Sequence, residues 1–446
     1  MPTLYIMVKQ IVFIITLVVT MAVFFYTINR IYRFFTFTRP FLLKSWGRRF
    51  RVMLKVAFFQ SKIFRRPLIG FLHALVFWGF CVILIGSIEM VIDGVSGTER
   101  ALACLGVIYK LITASGDIFA LLIIIAIFVF FVRRLLLKVP RFEGIEMKPK
   151  NHRDAALALT LILILMVSLL GMNTFYITSS QLHQAEIHGF FPVSSVIAGW
   201  VGVGEEDFEF YQFFWWVHIL LIFVFANILP YSKHFHIFLS IFNVLLCKLD
   251  PLGKLPNMEH VTREVKMMLD PSLASAEPSS AQQEAIERFG VKDVEDGTWK
   301  NYLDSLSCTQ CGRCTSVCPA TLTGKKLSPR KIMMNYRSRM NEKGPGMIKN
   351  GKEFDDKKAL INDDYVSAEE LWACTTCNAC AKECPLMINQ PELIMGMRRY
   401  LVMEEGIAPG QLKTMFANIE NNGAPWQFSP EDRMLWADEL YFKQRI

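Results

Sequence analysis

The second half of the chain contains the sequence Cys-Thr-Gln-Cys-Gly-Arg-Cys-Thr-Ser-Val-Cys-Pro at residues 308–319. It returns as Cys-Thr-Thr-Cys-Asn-Ala-Cys-Ala-Lys-Glu-Cys-Pro at residues 374–385. Both stretches spell C-x2-C-x2-C-x3-C-P, the spacing in which three nearby thiolates hold three irons of a cubane and the fourth cysteine ligates the other cluster. The two loops must therefore meet in the folded protein.

This exchange of the fourth ligand predicts two [4Fe-4S] clusters. Cluster I takes Cys308, Cys311, Cys314 and Cys384, and cluster II takes Cys374, Cys377, Cys380 and Cys318. The alternative is a pair of structural zinc sites, but zinc ribbons space their cysteines as separated pairs. Two adjacent clusters would form a path for single electrons.

The part of the chain before these motifs is apolar. The 446 residues are 52% hydrophobic and include 36 Phe, which is too apolar for a soluble protein of ordinary composition. Five stretches of about 20 residues are long enough to span a bilayer; they are 10–32, 67–92, 106–132, 154–176 and 211–231. We expect a membrane domain at 1–250, a linker at 251–280 and a helical ferredoxin domain at 281–446.

The charges of the loops predict the orientation. Residues 30–66 hold 11 Lys or Arg and no acid, whereas the loop 177–210 has no Lys or Arg. Basic loops stay in the cytoplasm, which predicts five spans in a bacterial cytoplasmic (inner) membrane, with the N-terminus outside and the ferredoxin domain in the cytoplasm. Because such basic clusters beside apolar spans determine topology, we expect membrane lipid and not nucleic acid to be the partner of these residues.

Three histidines accompany the spans. His73 lies near the cytoplasmic start of the second span, and His218 and His236 lie at opposite ends of the fifth. A histidine in a membrane needs a partner, and ligation of one haem by two histidines supplies it. The alternatives are a histidine solvated by lipid headgroups or one that is hydrogen-bonded to a neighbouring helix.

The fifth span resembles the last helix of the cytochrome b (gamma) subunit of respiratory nitrate reductase. The likeness rests on His218 and on Pro-Tyr-Ser-Lys-His-Phe-His at 230–236, and Gly-Phe-Leu-His at 70–73 with Phe-Trp-Gly-Phe at 77–80 resembles that family's second helix. The resemblance implies that His73 and His236 are the axial ligands of one haem b on the inner side.

The same resemblance fails at one ligand of an outer haem, where this chain has Ile83. A second haem is therefore left open. His218 then has three interpretations: it is unpaired, it lines a quinone site, or it recruits His183 or His188 from the outer loop.

The second half resembles heterodisulfide-reductase-related proteins. The likeness rests on Phe-Gly-Val at 289–291, Cys-Gly-Arg-Cys at 311–314, Gly-Lys-Lys-Leu-Ser-Pro at 324–329 and Arg-Arg-Tyr-Leu-Val at 398–402. Both halves together look like membrane iron-sulfur proteins such as electron-transfer-flavoprotein:menaquinone oxidoreductases. The resemblance implies menaquinone and a separate partner, either a C-C-G-domain heterodisulfide-reductase-like subunit or an electron-transfer flavoprotein.

One further ionisable residue is a candidate. Asp117 lies within the third span, seven residues after Lys110 and on the same helical face. An acid at such a depth is by default a functional candidate, here as a proton relay for a quinone. Pairing with Lys110 for structural reasons is the alternative.

The predicted fold class is all-α, with a five-helix transmembrane cytochrome b-like bundle followed by a cytoplasmic α-helical dicluster ferredoxin domain. The predicted function is a membrane electron-transfer subunit that links a cytoplasmic redox partner, the two clusters, haem b and the menaquinone pool. The alternative is an electron-relay and anchoring module without its own quinone site. A transporter would leave the clusters unexplained. No catalytic residue is assigned, and no glycine-rich nucleotide loop is apparent.

Overall fold

The computed structural model describes residues 2–137, 139–270, 272 and 288–443, so much of the end of the predicted linker lies outside the described residues. Within these ranges the chain is helical and has no β-strand, which confirms the all-α fold class. In chain order the helices are α1 (Pro2–Phe35), α2 (Trp46–Met53), α3 (Pro67–Ser96), α4 (Val107–Phe131), α5 (Pro149–Leu182), α6 (Pro192–Val201), α7 (Asp207–Ile228), α8 (His236–Leu245), α9 (Glu259–Leu269), α10 (Trp299–Ser307), α11 (Pro319–Leu322), α12 (Pro329–Asn350), α13 (Ala368–Trp372), α14 (Ala379–Glu383), α15 (Gln390–Met403), α16 (Gly410–Asn422) and α17 (Leu435–Lys443).

All five predicted spans are helices long and apolar enough to cross a membrane, so the chain is a membrane protein. Their bounds are Met7–Phe35, Pro67–Ser96, Val107–Leu136, Pro149–Leu182 and Asp207–Tyr231. Each extends beyond the bounds predicted from hydropathy at one end or both, because polar residues continue the helix where the apolar stretch has stopped. Prolines mark the starts of α3 and α5, where the missing N–H is not needed.

The fifth span ends earlier than an unbroken helix through His236 would require. Regular helix stops at Ile228, and Leu229–Tyr231 and Lys233–Phe235 are single tight turns. Pro230 explains the break, since proline lacks an N–H and clashes with the preceding turn of a helix. His236 is therefore the first residue of a separate helix, α8.

The end of the helical bundle that contacts the cysteine-rich half is here called the near side, and the opposite end the far side. On the near side, Ile31 and Phe34 at the end of α1 belong to the same buried apolar core as Tyr302 of α10. The backbone N–H of Arg39 donates to Gly297 O at 2.8 Å, and Trp299 N–H donates to Arg39 O at 2.9 Å. The membrane bundle and the cysteine-rich half thus share one core.

Buried ion pairs hold the cysteine-rich half together. Arg339 of α12 is fully buried and its guanidinium binds both oxygens of Asp293 and also Asp356. Removing one partner of such a pair leaves an uncompensated buried charge, which costs about 3–5 kcal/mol. The helix α12 is thereby fixed against the segment that leads into the first cysteine motif.

Candidate functional site

The eight motif cysteines lie in two loops that the surrounding short helices position. Cys308 directly follows α10, and Cys318 directly precedes α11. Cys374 lies shortly after α13, and Cys384 follows α14. Helices that end in or begin at a ligand fix its Cα position, which a loop alone would not do.

The two loops follow the same backbone path. Gln310 and Gly312 in the first loop have φ of 55° and 71°, and Thr376 and Asn378 in the second have φ of 54° and 60°. These are equivalent positions of the two motifs, and left-handed backbone at alternate residues curls a chain tightly around its own interior. In the second loop the N–H of Thr376 donates to Cys374 Sγ at 3.4 Å. The curl therefore directs backbone N–H groups at sulfur.

The thiols are brought together across the motifs. Cys384 interacts electrostatically with Cys308 and Cys311 of the first motif. Cys374 and Cys380 of the second motif both interact with Cys318. This grouping is the one that the exchanged fourth ligand requires, and the ligand assignment itself stays a prediction. Among the described residues, no three His, Cys, Asp or Glu side chains are grouped so that they could hold one metal ion. A [4Fe-4S] cluster does not require such a group, because each of its four irons binds one cysteine.

Burial controls the chemistry of these thiols. It raises the pKa of Cys308 to about 11 and the pKa values of Cys380 and Cys384 to about 12. At neutral pH these groups would be thiols and not thiolates. Iron binding must therefore displace their protons, so that cluster assembly and deprotonation are one event.

On the near side, His73 and His236 lie within electrostatic reach of each other. His73 is in the second turn of α3, and its Nδ1 donates to the side-chain oxygen of Gln60 at 3.1 Å. His236 Nδ1 donates to Lys233 O at 3.0 Å. Because the proton is on Nδ1 in both rings, each Nε2 has its lone pair free to bind a metal.

The segment 60–66, here called the coupling loop, joins His73 to the cysteines. Gln60 is buried, adopts a left-handed φ of 51° and contacts His73. Lys62 Nζ donates to Cys384 O at 3.0 Å. Arg313, which lies between Cys311 and Cys314 in the sequence, donates from its Nη1 to Lys62 O at 2.9 Å. Sequence reasoning missed this loop, because the partners of Lys62 are more than 200 residues away in the chain and no local pattern marks them.

His218 lies in the middle of α7, away from the near-side histidines. It is 2% exposed, and its Nδ1 contacts Leu165 O at 3.0 Å and Ser168 Oγ at 2.9 Å, both on α5. It lines a cavity toward the far side in which Glu89 accepts hydrogen bonds from Tyr109 OH at 3.1 Å and Leu102 N–H at 3.0 Å. The space open to the centre of a water molecule is about 60 Å³, enough for several waters.

His183 and His188 lie on the far side in the loop region after α5. His183 Nδ1 contacts Ser179 O at 2.9 Å, and the His188 side chain is exposed beside Glu186. Neither lies among the residues that line the cavity of His218 in the described structure. Their pairing with His218 stays a prediction, and these contacts do not support it.

Asp117 lines the same cavity, but its carboxylate is occupied by helix α6 instead of Lys110. It accepts the N–H groups of Val193 and Ser194 at 2.8 and 3.0 Å and the Ser194 hydroxyl at 2.5 Å. The first N–H groups of a helix have no partner within it, and a carboxylate there also meets the positive end of the helix dipole. Asp117 thus anchors α6 to the bundle.

Replacing Asp117 with Ala should lower the free energy of unfolding by about 1–3 kcal/mol, since three donors of α6 and the side-chain amide of Asn173 lose their acceptor. Thermal unfolding of the purified protein in detergent measures the loss. Asp117→Asn keeps one acceptor oxygen and should lose less. Quinone turnover that stays unchanged in Asp117→Asn would remove the proton-relay hypothesis.

The chain is similar to known iron-sulfur proteins. Residues 307–388 match the family model of the 4Fe-4S dicluster domain. The "Probable iron-sulfur-binding oxidoreductase FadF" of Bacillus subtilis is 30% identical over 416 residues, which are 86% of this chain and 54% of the relative. The "EtfAB:quinone oxidoreductase" of Syntrophomonas wolfei is 28% identical over 422 residues, with 87% of this chain and 54% of the relative covered.

A shorter part of the chain is also similar to heterodisulfide reductases. One subunit of the dihydromethanophenazine:CoB--CoM heterodisulfide reductase of Methanosarcina acetivorans is 31% identical over 148 residues, 32% of this chain and 35% of the relative. The chain spans about half the length of FadF and of the EtfAB:quinone oxidoreductase. No solved structure matches it. The predicted resemblance to heterodisulfide-reductase-related membrane iron-sulfur proteins is confirmed: the chain is a homologue of FadF-like iron-sulfur oxidoreductases, of EtfAB:quinone oxidoreductase and of this heterodisulfide reductase component, with a 4Fe-4S dicluster domain and five membrane-capable helices.

Proposed function

We propose that the chain is a membrane electron-transfer subunit that links a cytoplasmic redox partner to the menaquinone pool through two [4Fe-4S] clusters and one haem b. The observation that carries the proposal is the coupling loop. Gln60 contacts His73, and Lys62 contacts both Cys384 and, through its carbonyl, Arg313. One seven-residue segment therefore touches a predicted haem ligand and the predicted ligand set of cluster I.

The near-side residues fit a haem. His73 and His236 come from different helices, interact electrostatically and keep their Nε2 atoms free, as bis-histidine ligation requires. The backbone before His236 is held by other elements, since Arg337 donates to Pro230 O at 3.0 Å and Lys233 Nζ donates to Asn151 O at 2.5 Å. When bound, the haem and the clusters accept and release single electrons. The chain has no C-x-x-C-H motif, so attachment would be non-covalent.

The cavity at His218 supports the menaquinone part of the proposal. It lies between α3, α4, α5 and α7 and combines apolar walls with Glu89, Arg100, Tyr109 and His218. A quinone headgroup needs hydrogen-bonding groups at its two oxygens and apolar surroundings for its ring. The relative named for EtfAB and quinone favours the same substrate class.

The soluble partner is proposed to be an electron-transfer flavoprotein or a C-C-G-domain heterodisulfide-reductase-like subunit. Two relatives support these two classes, the EtfAB:quinone oxidoreductase of Syntrophomonas wolfei and the heterodisulfide reductase subunit of Methanosarcina acetivorans. The near side carries the basic segments 30–66 and 133–153, which favours its placement in the cytoplasm of a bacterial inner membrane. The partner then meets the cysteine-rich half on that side.

A menaquinol analogue added anaerobically to the purified, haem-containing protein should reduce the haem, as its absorption spectrum would show. The His73→Ala variant is the control for bleaching of other chromophores. If dithionite reduces the haem and the quinol does not, the chain is the alternative, a relay and anchoring module without its own quinone site. The polar groups in the apolar wall of the His218 cavity favour the first function.

A further inference from the structure

Four guanidinium groups meet on the near side with no acid among them. Arg66 precedes α3, Arg133 follows α4, Arg141 lies in the next loop, and Arg313 lies between two cysteines of the first motif. Arg141 interacts electrostatically with the other three. These four residues are called the arginine cluster.

The described part of the chain offers the arginine cluster no carboxylate partner. Glu383 is the acid that interacts with Arg313, but it is paired with Arg65 at 3.3 Å. Arg141 has two buried nitrogens, Nε and Nη1, without a hydrogen-bond partner. The ring of Phe142 lies 5.3 Å from the Arg141 guanidinium, and such a cation–π contact supplies no full negative charge.

Such a cluster is costly unless an anion neutralises it. Burial and then repulsion from Arg66 and Arg133 lower the pKa of Arg141 to about 10, so it still carries its charge at neutral pH. Arg313 is 5% exposed and is held in place by the carbonyls of Lys62 and Ile63 at 2.9 and 3.4 Å. Arg313 therefore cannot move to solvent without breaking these contacts.

The anion within reach is the first set of cysteines. Arg141 and Arg313 both interact with Cys311, and Arg313 also interacts with Cys384. The absence of a side chain at Gly312 permits this approach, because a Cβ there would lie 2.1 Å from Arg141 O. Four thiolates with a cubane carry net negative charge, and reduction adds one more.

The second set of cysteines has a different environment. Among the strongest electrostatic effects on Cys374 and Cys380 there is a single cation, Arg398, which acts on Cys374. Cys377 is exposed to solvent. In the first set, by comparison, Cys308 interacts with two further cations, Arg330 and Arg337.

We propose that the arginine cluster is the counter-charge of cluster I, held there by membrane loops, and that it sets the reduction potential of cluster I above that of cluster II. Positive charge and N–H donors near the sulfurs stabilise the reduced, more negative state of a cluster. When the two clusters hold one electron between them, that electron moves from cluster II to cluster I, so that cluster II is oxidised and cluster I is reduced. The solvent-exposed cluster II is the side that faces the soluble partner, and cluster I is the side that faces His73.

This inference rests on the proposed clusters, and a redox titration of the purified full-length chain by EPR tests it. The two signals are first assigned with Cys377→Ser, which should perturb cluster II. In Arg141→Gln the midpoint potential of cluster I should fall, so that the ratio of reduced to oxidised cluster I at a fixed potential drops at least tenfold, or about 59 mV for one electron. The potential of cluster II should not change.

The matched variant is Arg398→Gln, which should lower the potential of cluster II and leave cluster I unchanged. Arg141→Lys keeps the charge and should restore most of the wild-type potential, which a merely structural role would not do. If Arg141→Gln does not assemble its clusters, Arg66→Gln tests the same charge from a residue that lies outside the cysteine motifs. The midpoint potential of cluster I should again fall.

An unshifted cluster I in both glutamine variants, or a cluster I that titrates below cluster II in the wild type, overturns the inference. A shift of the haem potential alone would assign the arginines to the haem carboxylates and overturn it equally. If the wild-type chain shows no iron-sulfur signal, the proposed function itself has failed. These outcomes are distinct because each has its own spectrum.

Discussion

The His73→Ala variant is expected to lose its haem absorbance completely while its iron-sulfur EPR signals survive. His73 and His236 lie on the near side, and their Nδ1 atoms are engaged by Gln60 and by Lys233 O, which leaves the Nε2 atoms for a metal. The resemblance marks these two as the axial ligands and does not mark His234, whose ring lies 6.0 Å from that of His236. Loss of one of two axial ligands leaves the haem with a single bond to the protein. His236→Ala should behave in the same way.

The iron-sulfur signals should survive because His73 lies outside the core shared by the bundle and the cysteine-rich half. That core is formed by residues such as Phe34, Tyr302 and Leu306, which the substitution does not touch. Absorption and EPR spectra of one preparation measure both cofactors. His218→Ala is the matched control, since it replaces another buried span histidine. If His218→Ala alone abolished the haem and His73→Ala did not, the ligand assignment would be wrong.

Two haems per chain would require a second pair of ligands. His218 is one candidate, because its Nδ1 is bonded to α5 and its Nε2 is free. His183 and His188 are the partners to test first, although their contacts are with other groups. Ile83, which stands where the resembled family has a histidine, also lines the cavity of His218.

The second large effect is expected at the exchanged cysteines. Cys384→Ser should perturb the cluster whose other ligands are in the first motif, and Cys318→Ser should perturb the cluster of the second motif. The reason is spatial, since Cys384 lies with Cys308 and Cys311, and Cys318 lies with Cys374 and Cys380. EPR of each variant shows which signal is broadened or lost.

Cys104→Ser is the matched control for this experiment, because Cys104 is a free, exposed cysteine outside both motifs. It should retain both signals. Iron and acid-labile sulfide should each be about eight per chain in the wild type. Damage confined to the cluster of the substituted cysteine's own motif would contradict the exchange, and zinc in place of iron would contradict the clusters.

The parts of this protein that were predictable from sequence are those that local patterns encode. The cysteine spacing determines two curled loops, and stretches of apolar residues determine five helices. His73 and His236 were chosen as candidate ligands because a resemblance marked both, and their role stays a prediction. The break at Pro230 follows from proline chemistry. In each case the information lies within a few turns of the residue concerned.

The residues that escaped prediction act over long sequence separations. Lys62 looks like an ordinary loop residue until the fold places Cys384 of the second cysteine motif beside it. Arg141 and Arg313 are 172 residues apart and read separately as a topology signal and an exposed loop residue. Asp117 was considered beside Lys110, its neighbour on an ideal helix, whereas Val193 and Ser194, which donate to it, belong to α6, a helix that hydropathy did not reveal.

The shared near-side core also has a consequence for biosynthesis. Phe34 and Arg39 are translated early, yet the residues that cover them, Gly297, Trp299 and Tyr302, leave the ribosome more than 250 residues later. During that interval the end of α1 exposes aromatic surface at the membrane boundary. The nascent chain therefore has to keep this surface from other contacts until its last third arrives, so insertion of the bundle and maturation of the ferredoxin part are ordered in time.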